Sequence, residues 1–281
     1  VTIKENTQVD QPVIIYNLSD ASKGPSYSQM RHLVVVERNA KARLIEISKN
    51  LTPENQAFQN ISSEIFLKEN AELEVTKIQT ECAGAILVDN TDVSQLDGSK
   101  LLSNTITTNG TMVRNNLRIA IDGENCEAHM NGLYLAKGKD HIDNHTLVDH
   151  RKANSYSNEL YKGIIDDTAT GVFNGKIYVQ PEAQKTNAFQ SNKNILLSDK
   201  ASMNTKPQLE IWADDVKCSH GCTTGQLDEE QLFYLRARAI GPEKARAMLV
   251  HAYAEEVIEK IGSQPISHYL DPVLHERLDT E

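Results

Sequence analysis

Cys218, His220 and Cys222 occupy alternate positions in the run Lys217-Cys218-Ser219-His220-Gly221-Cys222-Thr223. On an extended strand, alternate side chains share one face, so two thiols and an imidazole would look into the same space. Thiolate and imidazole together suit zinc, copper or iron better than calcium or magnesium. The Cys-x-His-x-Cys spacing is not that of a zinc finger, and a structural zinc would need a fourth ligand. By spacing alone, a metal, redox or partner role stands level with simple packing of three half-buried side chains.

Other candidates are weaker. His141, Asp143 and His145 also share a strand face, followed by Asp149 and His150. They suit an acid/base or metal cluster, but a polar strand face with histidines bonded to neighbouring carboxylates is the preferred reading, because nothing fixes a ligand count. The pairs Asp166-Asp167 and Asp214-Asp215 are adjacent, and adjacent strand residues point to opposite faces, which denies them a shared substrate. Glu229-Glu230 reads as negative charge at a helix N-terminus. Cys82 and Cys126 read as core residues. The chain has no Walker A run, no Rossmann glycine pattern and no Gly-x-Ser-x-Gly elbow, so a nucleotide enzyme or ordinary hydrolase has little support.

The elements that must position these residues are mostly strands. Among 281 residues, 39% are hydrophobic and only 5% aromatic, which suits an aliphatic, sheet-rich core. A net charge of −10 argues against nucleic acid, and no apolar run approaches the roughly 20 residues of a membrane span. Val1-Thr2-Ile3-Lys4 lacks an initiator Met and the pattern of a signal peptide, so the chain reads as a processed form or a fragment. Four cysteines among 281 residues are too sparse for a secreted disulfide scaffold and read as reduced thiols of a cytoplasmic protein.

From Val13 to about Val216, short β segments alternate with Asn, Asp, Gly and Ser turns. Leu33 to Ala40 resembles Glu64 to Ala71, with the Asn-Ala pair displaced by 70 − 39 = 31 residues. Gly132-Leu133-Tyr134-Leu135 also resembles Lys176-Ile177-Tyr178-Val179. Degenerate repeats without intervening helices predict a parallel β-helix, a solenoid whose coils bury their apolar faces on one another; a jelly roll is the competing architecture.

The pattern turns helical after the cysteine cluster, dividing the chain into a β-helix core over 1–223 and a helical domain over 224–281. Asp228 with Gln231 forms a capping box, followed by Leu232, Leu235 and Ile240, with Tyr234, Arg236 and Arg238 nearby. Gly241-Pro242 starts a second helix carrying Ala245, Met248, Leu249, Ala252, Val257, Ile258 and Ile261 as far as Gly262. A third covers part of Tyr269 to Leu278. These helices are too few to hold a core alone and are expected on the solenoid end or on another protein.

His141 to His150, Gly171 to Val179, Gln184 to Ala188, Thr205 to Ile211, Asp214 to Gly221 and Gly225 to Asp228, taken in order, resemble the SufD family, a scaffold subunit of the SUF iron–sulfur cluster assembly system. Before Gly132 the similarity is one of general character. The resemblance implies a right-handed parallel β-helix with a C-terminal helical domain. It implies pairing with a SufB-like scaffold and docking of a SufC-like ATPase on the C-terminal helices, around Leu232, Tyr234, Arg236 and Arg238. Cys218 and His220 would lie near the subunit junction and form or hold the nascent iron–sulfur cluster, with Cys222 a weaker third ligand because many members carry alanine there. The cluster would be transient and the chain non-catalytic; homodimerisation when alone stays open. The resemblance also implies an N-terminal helical region, which this sequence is not expected to contain. Two other classes stand beside this one: a stand-alone zinc-binding interaction protein, and a β-helix carbohydrate-active enzyme, which would need a row of carboxylates along one solenoid face.

Overall fold

Strict alternation of buried and exposed residues, as in Ala57 to Leu67 and Ala85 to Gln95, gives each segment one face toward a core and one toward solvent. In the computed structural model, which describes residues 1–261 and 264–278, sixteen strands form two eight-stranded sheets. One sheet holds β1 (Thr2–Ile3), β3 (Ser26–Val36), β5 (Ala57–Leu67), β7 (Ala85–Gln95), β9 (Met112–Ile121), β11 (His141–His150), β13 (Thr170–Val179) and β15 (Ser202–Ile211). The other holds β2 (Val13–Ser19), β4 (Lys41–Asn50), β6 (Glu72–Glu81), β8 (Lys100–Thr107), β10 (Glu127–Ala136), β12 (Tyr156–Ile165), β14 (Asn187–Leu196) and β16 (Lys217–Gly225). Every strand pairs in parallel with the strand two places along, as β10 does with β8 and β12. The chain is therefore a parallel β-helix: it crosses from sheet to sheet and stacks each coil on the last. A jelly roll would require antiparallel pairs.

The corners that follow most strands of the first sheet are set by residues that tolerate a left-handed backbone. Asn6, Asn39, Asn70, Asn125 and Asn154 have φ between 55° and 63°, a region asparagine enters more readily than most residues. Asn39 donates to the Asn6 side chain at 2.9 Å and Asn70 to that of Asn39 at 3.2 Å. The 31-residue Asn-Ala repeat is thus one coil of the solenoid. The second repeat is not: Gly132–Leu135 lies in β10 and Lys176–Val179 in β13, on opposite sheets. Tyr134 is buried in the lumen whereas Tyr178 lies on the half-exposed face of its strand, so their likeness has no structural equivalence.

The lumen pairs large side chains with absent ones. A Cβ at Gly132 would stand 2.2 Å from Tyr161, and one at Gly163 2.5 Å from Tyr134, so each tyrosine ring occupies space that only glycine leaves open.

Three helices complete the described chain, α1 (Glu229–Arg236), α2 (Pro242–Ile258) and α3 (Gln264–Leu278). Asp228 caps α1 through the Glu230 and Gln231 amides, and Gly241-Pro242 opens α2. The expected stop at Gly262 lies outside the described residues. Helices α2 and α3 pack on the flank of the solenoid, not on its end. Ile45, Ile47, Ile78, Ile106, Leu133, Leu135 and Ile164 form one cluster with Val250, Ala254, Val257, Ile258, Ile266, Leu270 and Leu274. A sheet with outward isoleucines and leucines would otherwise expose them, and the helices cover that stripe. The buried face of α2 carries Ala245, Val250, Ala254, Val257 and Ile258, while Met248 and Ala252, expected in the stripe, are exposed. Lys162 on β12 adds a polar clamp: its Nζ donates to Tyr253 O at 2.7 Å and Glu256 at 2.6 Å.

Candidate functional site

Among the described residues, β16 is the last strand of its sheet and bonds only to β14; β15 is likewise last in the other sheet. The final coil therefore leaves two strand edges and the mouth of the lumen open. Register places Cys218 beside Ala188, His220 beside Gln190 and Cys222 beside Asn192. Those three β14 residues are buried, so Cys218, His220 and Cys222 sit on the lumen side of the mouth. Sequence alternation predicts the shared face but not that it faces inward.

The three do not form a closed metal site. Cys218 and Cys222, four residues apart on the strand, are separated by about 13 Å, too far for all three side chains to converge on one ion without help. Among the described residues, no group of three or more His, Cys, Asp or Glu side chains could hold a metal ion. Cys218 is half-buried against Ile177, Val179, Ala183, Ala188 and Ala213, and burial pushes its thiol up from the ordinary value. It is therefore a neutral thiol until a metal or a base takes the proton. His220 and Cys222 are exposed.

Behind the mouth lies a polar layer that the sequence does not announce. Gln190 Nε2 donates to Glu159 Oε2 at 2.7 Å. Asn192 donates to the Tyr134 hydroxyl at 3.2 Å, that hydroxyl donates to Asn194 at 2.6 Å, and Thr205 donates to Asn192 at 2.9 Å. Glu159 is 1% exposed, and burial pushes its carboxyl up to about 7. The one available signal is the alternation Ala188-x-Gln190-x-Asn192-x-Asn194, which looks solvent-facing but lines the lumen.

The second candidate cluster does not gather. Asp143 lies on the outer face of the first sheet, where Arg114 reaches it at 2.8 Å and His145 at 2.9 Å. Asp149 instead accepts from Arg151 at 2.7 Å and Gln180 at 3.1 Å. His150 faces the lumen, bonded to Ser157 at 2.8 Å, and burial lowers its pKa to about 4. This is the ion-paired strand face that the residues favour. Asp166-Asp167 and Asp214-Asp215 lie at coil corners instead of on strands, which corrects the reason for setting them aside. Cys82 and Cys126 are buried.

On the helical side, α1 has no buried residue. Leu232 is half-buried and Tyr234, Arg236 and Arg238 are exposed, with the Arg238 guanidinium 3.4 Å from the Tyr234 ring centroid, a cation–π contact. Phe233 on α1 is 73% exposed and Met248 on α2 42%, large apolar side chains left uncovered on both helices. No described helix is long and apolar enough to cross a membrane.

Residues 17–253 match the family model described as SUF system FeS cluster assembly, SufBD core domain. The chain is 36% identical over 268 residues to an iron-sulfur cluster assembly SufBD family protein of Synechocystis, covering 93% of this chain and 59% of that protein. It is 30% identical over 280 residues to the iron-sulfur cluster assembly protein SufD of Escherichia coli, covering 99% of this chain and 66% of that one. A SufBD family protein of Pyrococcus horikoshii is 28% identical over 261 residues, 92% of this chain and 57% of its own length. The chain thus spans about three-fifths of the length of these relatives.

Proposed function

The chain belongs to the SufBD core family of the SUF iron–sulfur cluster assembly system, and we propose that it is a non-catalytic scaffold subunit that builds and passes on nascent clusters together with a SufB-like scaffold and a SufC-like ATPase. The observation that carries this reading is the position of Cys218, His220 and Cys222 on the lumen side of a last strand whose outer edge no described strand pairs with. Such an edge offers backbone donors and acceptors to a second chain, and a SufB-like strand laid against it brings further ligands to the same mouth. A site divided between two chains is open by construction, which suits a cluster that is cargo and must leave; a permanent site closes its coordination shell.

In this reading Cys218 and His220 are the principal ligands and Cys222 the weaker third. Leu232, Tyr234, Arg236 and Arg238 meet the ATPase, and motion of the helices reaches the last coils through the clamp of Lys162 and Lys193 on Glu256. Unbridged cysteines fit a reducing, cytoplasmic setting.

Co-purification with SufB-like and SufC-like proteins of the same genome tests the assembly, and His220→Ala within it tests the site. A three-component complex whose His220→Ala form folds and assembles but loses most of its cluster is expected. A normal cluster yield from that variant removes the ligand role. Failure of the folded chain to bind either protein, with stoichiometric zinc in the isolated chain, would favour an interaction protein instead.

A further inference from the structure

Gln190 is 3% exposed in the lumen, one coil before His220. Its Nε2 donates to Glu159 on the preceding coil, which fixes the carboxamide and leaves Oε1 at its other end. That oxygen is buried and accepts no hydrogen bond. A buried acceptor left unpaired costs about 1–3 kcal/mol and is uncommon enough to need a cause. The opposite sheet has been cleared for this side chain: a Cβ at Gly175 would stand 2.4 Å from Gln190 Nε2. The in-register residue on the next coil is His220, and adjacent strands lie about 4.8 Å apart, within reach of an imidazole N–H.

We infer that Gln190 is a positioning residue for His220: its carboxamide oxygen accepts one imidazole N–H, fixes the tautomer and turns the other ring nitrogen, as a lone-pair donor, toward the open mouth. The inference deepens the reading of His220 as a cluster ligand and rests on it for its purpose, but the hydrogen bond it calls for needs only this chain's own residues. A histidine that binds metal through one nitrogen commonly donates the other N–H to a fixed acceptor. A neutral amide fills that role without placing a second carboxyl group beside Glu159.

The test reads the ring nitrogens directly. In the full chain labelled with ¹⁵N-histidine, His220 is identified among the nine histidines by the signals lost in His220→Ala. The expected wild-type pattern is one dominant tautomer. Gln190→Met, similar in shape but without an acceptor, is expected to give a mixture, and Gln190→Glu, which keeps an acceptor oxygen, to return toward one tautomer. Identical His220 shifts in wild type and folded Gln190→Met overturn the inference. So does equal loss of preference in Gln190→Met and Gln190→Glu, because volume and not the acceptor would then matter. In the assembled complex, Gln190→Met should weaken cluster retention about 10–100-fold, between wild type and His220→Ala. If the tautomer responds as expected while His220→Ala leaves cluster formation intact, the contact stands and the ligand reading falls.

Discussion

Glu159→Gln should stabilise the protein at neutral pH and not at acid pH. Glu159 is buried at 1% exposure, and its carboxyl is pushed from an ordinary value of 4.5 up to about 7 by desolvation. Because the folded-state pKa is raised, the neutral form is favoured in the fold. The contribution is full below about 4.5 and is lost as pH rises through about 7. A difference of 7 − 4.5 = 2.5 in pKa corresponds to roughly 3 kcal/mol. Glutamine keeps an oxygen to accept from Gln190 Nε2 but has no proton to lose. The stability of Glu159→Gln relative to wild type should therefore climb by roughly 3 kcal/mol between pH 4.5 and 7, then level off. Urea unfolding of both proteins at half-unit pH steps measures it. Wild type alone would conceal the effect, because His150 acts in the opposite sense. Its folded pKa is lowered from 6.5 to about 4, so its contribution is present above 6.5 and lost as pH falls. A difference curve that is flat from pH 4.5 to 8 would refute the claim that Glu159 is held neutral by the lumen.

Packing leads to two more expected outcomes. Asn70→Ala should cost about 1–2 kcal/mol in thermal or urea unfolding, because Asn70 sits at φ 57°, where an ordinary L-residue is disfavoured, and donates to Asn39. Asn70→Gly should be milder; an alanine variant as stable as the glycine one would show that the corner does not select for its backbone. Glu256→Gln should loosen α2 more than Lys162→Met, because it leaves the Lys162 ammonium, 3% exposed, without its carboxylate, whereas Met removes the charge as well. Hydrogen exchange over residues 242–258 reads the difference, and faster exchange in Lys162→Met than in Glu256→Gln would reverse the argument.

The coil repeat is legible where a backbone constraint forces one residue type. The Asn39 and Asn70 corners share a conformation that few residues tolerate, so identity survives there while strand interiors vary. Repetition misleads at Tyr134 and Tyr178, because alternation marks a face without saying which face. The same ambiguity hides the polar lumen: Gln190, Asn192 and Asn194 line the inside of the coil, and the two asparagines find partners there, whereas polarity alone assigns such residues to solvent. The helices are legible from Asp228 and Gly241-Pro242, local signals that act within a few residues. Their docking place is not, since it depends on Ile47, Ile78, Ile106 and Leu133, which come from four separate coils and align only once the solenoid is wound.

The alternate spacing of Cys218, His220 and Cys222 is legible in the sequence; the incompleteness of their site is not. A strand can present three soft ligands to one space, yet whether that space is closed depends on the next coil of the stack. Here no described strand pairs with the free edge of β16. The interior of every earlier coil is covered by its successor, so its polar residues can turn only to groups of the chain itself, as Lys77 does to Asp89 at 2.7 Å. The last coil alone has no such cover. Its cysteines and histidine therefore combine the fixed spacing of a solenoid lumen with the access of a surface, a pairing of properties that a loop site would not have and a buried coil could not use.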